Sequence, residues 1–225
     1  MSQNIINAPV HDVSDNSMGV VYIATGEKYV RAAAKSAESV KKHCNNIRIH
    51  LFTDISDFRH EFIDGVTVIE QPHRRSKVNY LFKSPYGRTL YLDADTRVVG
   101  NIEDVFNLLD NFDIALAHAH QRNHPATLEK WNTNIPYSFP QMNGGVVLFR
   151  MNTRVESMLK QWRDAYHTAG FKKDQTTLRE LIWNSDLRLT ILPPEYNIRY
   201  KKYLWIWKKN EAVPKILHLK KYLQK

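Results

Sequence analysis

Apolar runs of strand length recur along this chain, and most are separated by stretches whose apolar residues repeat at helical spacing. Residues 19–24 form a continuous apolar run, closed by a turn at Thr25-Gly26-Glu27. Over residues 29–43, Val30, Ala33, Ala34, Ala37 and Val40 share one helical face, and Lys41-Lys42-His43 supplies a basic end. Residues 47–52 and 66–69 read as two further strands. Residues 76–86 read as a short helix, and 90–92 as another strand. Beyond them come a short helix over 105–109 and strands at 114–117 and 145–149. Amphipathic helices follow over 155–166 and 174–183, the second opened by an acid at its N-terminus. Strands alternating with helices predict an α/β domain with a mostly parallel central sheet flanked by helices. Residues 118–141, rich in His, Asn and Pro, read as a long loop. At 225 residues and 43% apolar, one domain can build a full core without a staple.

The run Leu90-Tyr91-Leu92 ends on two carboxylates one residue apart, Asp93 and Asp95. A buried strand that closes on unpaired anions is costly, because a charge taken out of water needs something opposite it. Strand ends of α/β folds are also where ligands bind. A divalent cation held by these hard oxygens and completed by substrate phosphate fits both facts. A polar turn capping the strand is the plainer alternative.

The net charge of +9 is unevenly spread. Between Arg199 and Lys225 there are nine Lys or Arg against Glu211 alone, interleaved with Tyr200, Tyr203, Trp205, Trp207 and Tyr222. Basic residues among large aromatics suit an anionic membrane surface or a polyphosphate ligand. They would also suit nucleic acid, and a solvated basic face needs no partner at all. Cys44, the single cysteine, excludes a disulfide framework and any Cys-rich zinc site. No stretch reaches the length of a membrane span. Residues 1–18 are polar and without the pattern of a signal peptide, so they read as a flexible tail on a cytoplasmic protein.

The order of several short motifs then resembles a known family. Ala24-Thr25 and Tyr29 come first, followed by Ala34-Lys35-Ser36, Lys77, and Tyr91-Leu92-Asp93-Ala94-Asp95. Asn143-Gly144-Gly145, Asp174-Gln175, Leu192-Pro193-Pro194-Glu195-Tyr196-Asn197 and Ile216-Leu217-His218 complete the series. This set, spanning about residues 19–219, resembles the GT-A fold glycosyltransferases, most of all family 8. That resemblance implies a GT-A domain over 19–225, with 199–225 as its basic and aromatic C-terminal segment. It also implies a nucleotide-sugar donor, UDP-sugar favoured, and a hydroxyl acceptor on a glycan, lipid-linked sugar or protein.

On the same resemblance, Ala24, Thr25 and Tyr29 line the nucleotide pocket, with Tyr29 stacking on the base. On residues alone, Tyr29 could equally pack on the core. The acid and amide that many family 8 members carry after the first strand are replaced here by Gly26, Glu27 and Lys28. Asp93, Asp95 and His218 resemble the metal ligands, and one imidazole with two carboxylates suits Mn²⁺ better than Mg²⁺. Ala94 sits between the two acids in the donor site. Lys77, with Arg74, Arg75 and Lys83 nearby, corresponds to a basic residue near the diphosphate. The family usually follows this His with a Gly and then a phosphate-binding Lys; here Leu219, Lys220 and Lys221 follow, and the resemblance offers Lys220 or Lys221 for that role. Asn143, Gly144 and Gly145 resemble the block facing the sugar, and Asp174 and Gln175 the catalytic pair beside the anomeric carbon. Asp174 could also be a helix N-cap.

These features point to a metal-dependent glycosyltransferase that retains anomeric configuration. An inverting enzyme would need Asp174 or Glu195 as base. A sugar nucleotidyltransferase would need a Gly-rich, Arg-bearing loop after the first strand, which Ala24–Lys28 is not. A non-catalytic module using the basic C-terminus on a membrane would leave Asp93, Asp95 and Asn143 without a purpose. Nucleic acid is not an expected partner.

Overall fold

The structure is a computed structural model that describes residues 16–223. A seven-stranded sheet with the order β3-β2-β1-β4-β7-β6-β8 forms its centre. The strands are β1 (Met18–Ile23), β2 (Arg48–Thr53), β3 (Gly65–Val68), β4 (Arg88–Leu92), β6 (Ile114–His118), β7 (Met142–Arg150) and β8 (Leu189–Ile191). A separate two-stranded ribbon pairs β5 (Thr96–Val98) with β9 (Ile216–His218). All central strands run one way except β7, which is antiparallel to both β4 and β6. The helices are α1 (Glu27–His43), α2 (Lys77–Tyr80), α3 (Pro125–Leu128), α4 (Thr153–Ala169), α5 (Gln175–Trp183) and α6 (Tyr203–Ile206).

Continuous apolar runs make the middle strands because both faces of the sheet are covered. Leu90 and Leu92 of β4, with Val20 and Tyr22 of β1, point into the core under α1. Tyr91 and Val21 point the other way, into a second core with Trp162 and Leu159 of α4 and Leu178 of α5. Alternation at every second residue thus divides one strand between two cores. At the start of β6, beside the edge strand β8, the fully buried Asp113 accepts hydrogen bonds from Asn152, Arg154 and Arg188, tying β6 to α4 and β8. Cys44 caps α1, buried, and its sulfur accepts the Ile102 N–H.

Several expectations shift in detail. The helix over 76–86 is α2 followed by a single 3-10 turn at Leu81–Lys83, since Pro85 cannot continue it. The loop over 118–141 contains α3, opened by Pro125 with the His124 ring accepting the Ala126 N–H. Residues 1–15 of the expected tail lie outside the described residues. Met18, by contrast, opens β1, and the Ser17 carbonyl accepts the Arg88 N–H at 2.8 Å. Strands β5, β8 and β9 have three residues each and show no period to read.

Candidate active site

The reversal of β7 builds the site. A parallel strand would bring its carboxyl end to the edge where β1 and β4 finish; β7 instead brings its first residues, Met142 to Gly145. Leu92 pairs with Val146, and the Asp93 N–H donates to the Gly145 carbonyl at 2.8 Å, so Asn143-Gly144-Gly145 lies beside the Asp93-Ala94-Asp95 turn. The β5–β9 ribbon adds the third component. Thr96 pairs with His218, and the Leu219 N–H donates to the Asp95 carbonyl at 2.9 Å.

In this way Asp93, Asp95 and His218 each present one ligand atom, all within 4.8 Å of one another. His218 Nε2 lies 3.0 Å from Asp95 Oδ1 and 3.5 Å from Asp93 Oδ2. Its other nitrogen, Nδ1, is 2.7 Å from Asn197 Oδ1, an acceptor that places the ring proton on Nδ1. That leaves the Nε2 lone pair facing two carboxylates, which is favourable only with a cation or a proton between them. The donor set of two hard oxygens and one imidazole fits a divalent metal such as Mn²⁺. Gly145 keeps the space open, since a Cβ there would collide with His218 and Asp93.

The outward oxygens of the pair are held from behind. The Tyr91 hydroxyl donates to Asp93 Oδ1 at 2.6 Å, and Lys77 Nζ sits 3.6 Å from the same atom. Burial by itself would raise the Asp93 carboxyl, yet Lys77, joined by the His218 ring when its Nε2 carries a proton, holds it far below the usual carboxylate range. Asp95 Oδ2 faces Arg199 at 3.7 Å. The turn itself is anchored to α1 through Ser36, which accepts from the Tyr22 hydroxyl and lies 2.7 Å from Thr96 Oγ1. Thr96 in turn donates to the Asp93 carbonyl.

Lys77 is buried and turned inward. Its ammonium donates to the Gly144 carbonyl at 2.7 Å and pairs with Asp174 at 3.1 Å as well as with Asp93. Burial alone would lower its pKa, but the two carboxylates raise it above the ordinary lysine value. Asp174 sits at the start of α5 but makes no side-chain capping bond. Its Oδ1 pairs instead with Arg75 at 3.4 Å and its Oδ2 with Lys77, while Trp162 Nε1 donates to its carbonyl. Gln175 donates to the Met142 carbonyl at 2.7 Å, and Asn143 Oδ1 accepts the Gly145 N–H.

These groups open on one cleft of about 960 Å³, the size of a small-molecule site. Ala24, Thr25, Tyr29, Lys77, Asp93, Ala94, Asp95, Asn143, Gly144, Gly145, Asp174, Gln175, His218 and Lys220 all line it. Tyr29 is half-exposed there, on the first turn of α1, rather than packed in the core. That turn is set by Gly26 at φ 77, whose N–H donates to the Asp54 carboxylate. Lys221 does not line the cleft; its ammonium lies 5.0 Å from the Tyr222 ring centre. Glu195 does not line it either. Sequence reasoning missed His120 and Lys173 as cleft residues, named Arg75 only as a neighbour of Lys77 and Arg199 and Tyr200 only as part of the basic segment, and gave Asn197 no role. The only signal for Asn197 was its place in the Pro-Glu-Tyr-Asn block.

A sequence model of the nucleotide-diphospho-sugar transferase family matches residues 87–223, and the chain belongs to that family. Its fold is that of the GT-A glycosyltransferases. The galactosyltransferase LgtC, solved with donor and acceptor sugar analogues, is 15% identical with a TM-score of 0.64. That match covers 90% of this chain and 87% of LgtC, consistent with the family 8 resemblance. The glycosyltransferase GlyE of Streptococcus pneumoniae TIGR4 is 18% identical with a TM-score of 0.59, over 89% of this chain. This chain spans about half of GlyE, 54% of its length. No curated protein sequence matches the chain.

Asn197 holds the His218 ring from behind, so Asn197→Ala is expected to weaken Mn²⁺ binding about tenfold. Manganese titration followed by calorimetry measures this, and an unchanged affinity in a folded variant would contradict the orienting role.

Proposed function

We propose that this chain is a metal-dependent glycosyltransferase that moves a sugar from a nucleotide-diphosphate donor, UDP-sugar favoured, to a hydroxyl acceptor with retention. The observation that carries the reading is the convergence of Asp93, Asp95 and His218 at the cleft floor. Those residues would hold Mn²⁺ or Mg²⁺, which supplies Lewis-acid neutralisation of the leaving diphosphate. Ala24, Thr25 and Tyr29 receive the nucleotide, Tyr29 offering a half-exposed ring to the base. Lys220 faces the diphosphate side. Asn143 has its amide oxygen committed to Gly145, so its NH₂ is the group left for sugar hydroxyls. Gln175 likewise keeps its carbonyl oxygen for the donor sugar.

In the transfer, the acceptor oxygen bonds to the anomeric carbon as the bond to the β-phosphate oxygen breaks. The hydroxyl proton passes to that phosphate oxygen. Two arrangements support retention over inversion. Both Asp174 oxygens face cations, Arg75 and Lys77, so neither is free to take the proton of an acceptor. Glu195, the other base candidate, lies outside the cleft lining. Asp174 then acts by placing Lys77 and the start of α5, and Lys77 by holding Asp93 in position.

The C-terminal segment supports a second element of the reading, docking on an anionic membrane surface at the cytoplasmic face. Trp205 and Ile206 on α6 are 85% and 63% exposed, and Lys201, Lys202, Lys208 and Lys209 around them are exposed too. Apolar insertion flanked by lysines matches an anionic interface. No helix among the described residues is long and apolar enough to cross a membrane.

Thermal unfolding with UDP is expected to show stabilisation that requires Mn²⁺ and disappears in Asp95→Ala. Indifference to both ligands would sink the reading. Proton NMR of the first product formed from an α-linked UDP-sugar should show an α-linkage, and a β-linkage would restore the inverting alternative. Co-sedimentation should favour anionic over neutral vesicles, with Trp205→Ala reducing the bound fraction several-fold; equal binding to both would remove the membrane element.

A further inference from the structure

The cleft carries more positive charge than a loaded donor can use. Seven Lys or Arg line it against three Asp, a surplus of four. A divalent cation and the diphosphate of a donor carry equal and opposite charge, so loading the site leaves that surplus in place. Lys77, Arg75 and Arg199 have carboxylate partners in Asp93, Asp174 and Asp95. Lys28, Arg74, Lys173 and Lys220 have no ion pair among the described residues.

Strand order decides which of these unpaired cations meets which substrate. The nucleotide groups follow β1, the metal trio lies at β4 and β7, and the next strand across is β6. His120 stands just beyond the end of β6, on the side of the metal trio away from the nucleotide. Lys173 comes to the same end, because Gln175 donates to Met142, the residue paired with His118, and Arg199 comes with its neighbour Tyr200, which packs on His120. Burial first, and then the charges of Arg199, His218, Lys173 and Lys220, push the His120 imidazole down to about 4, so it is neutral at physiological pH. Its Nδ1 is buried with no hydrogen-bond partner, and its ring meets Tyr200 edge-on at 4.7 Å. A neutral donor or acceptor, an aromatic wall and a set of cations are the features that would hold a charged sugar.

We propose that the acceptor is an anionic saccharide, whose phosphate or carboxylate is held by Lys173 beside His120 and Tyr200. This rests on the glycosyltransferase reading of the cleft, and it names the class of acceptor which that reading leaves open. Arg199, already paired with Asp95, adds to the field at this end without being consumed by it. His120, a neutral imidazole lining the cleft, is the contact that distinguishes the sugar from a bare anion.

Glucose, glucose 6-phosphate and glucuronate, titrated into the full chain, separate the cases. Titrations with Mn²⁺ and UDP present keep the diphosphate site filled, and parallel ones use the metal-free protein. Each anionic probe is expected to bind about tenfold more tightly than glucose, as a charge-assisted contact implies. The gap should narrow with added salt. A preference for only one of the two anions identifies the oxyanion and supports the proposal. Lys173→Gln should reduce the preference several-fold, and Lys173→Arg should keep it, which separates lost charge from lost folding. Equal binding of all three probes in both forms overturns the anionic acceptor even where UDP binds in a metal-dependent way. Absence of metal-dependent UDP binding overturns the donor reading instead, and the metal-free titrations then decide the anion preference by themselves. A preference unaltered in folded Lys173→Gln would overturn the placement at Lys173.

Discussion

Two carboxylates at the end of a strand buried on both faces cannot stay there uncompensated, and the surroundings of Asp93 and Asp95 are organised by that requirement. Each acid has one oxygen held from behind. Tyr91 and Lys77 take Asp93 Oδ1, and Arg199 takes Asp95 Oδ2. The remaining oxygen of each faces His218 Nε2. Compensation from the protein is therefore incomplete on one side only, and that side opens on the cleft. A site that satisfied both acids fully would be inert; one that satisfied neither would disfavour folding.

Backbone topology delivers the parts. A reversed β7 puts Asn-Gly-Gly at an edge otherwise made of strand carboxyl ends. A three-residue ribbon carries His218 from near the C-terminus to Asp95. The ribbon is short, but Ile198 extends it through bonds to Ile216 and His218, and that contact also sets Asn197 behind the imidazole. Lys77 links the elements that the sheet does not, joining α2 to β7, to the turn after β4 and to the start of α5. Its loss would take a cation from Asp93 and from the buried Asp174 at once, which makes it a positioning residue before it is anything else.

Much of this was legible in the sequence, for identifiable reasons. Strands β1, β4, β6 and β7 are buried on both faces, so they read as unbroken apolar runs, and α1 and α4 repeat at helical spacing. The Asp pair was legible because it ends such a run. Strands β5, β8 and β9 were not, since three residues hold no period. Lys77 read as a cation near the diphosphate because charge is visible in sequence; its partners Gly144, Asp93 and Asp174 were not, since folding brings them there. Asp174 read equally as a helix cap, and the cations beside it, Arg75 and Lys77, are brought there by folding. His120, Lys173 and Arg199 share no local pattern at all. They meet because β6, the start of α5 and the segment before α6 end at one edge, which is a property of the topology.

The central claim is that the space bounded by Asp93 Oδ2, Asp95 Oδ1 and His218 Nε2 is a divalent-cation site beneath a nucleotide diphosphate. Anomalous diffraction at the manganese edge, on crystals grown with Mn²⁺ and UDP, tests it most directly. The account predicts one manganese peak contacted by all three side chains, with phosphate oxygens of UDP completing its coordination. UDP bound in the cleft with no manganese between these residues, or manganese bound elsewhere, would contradict it.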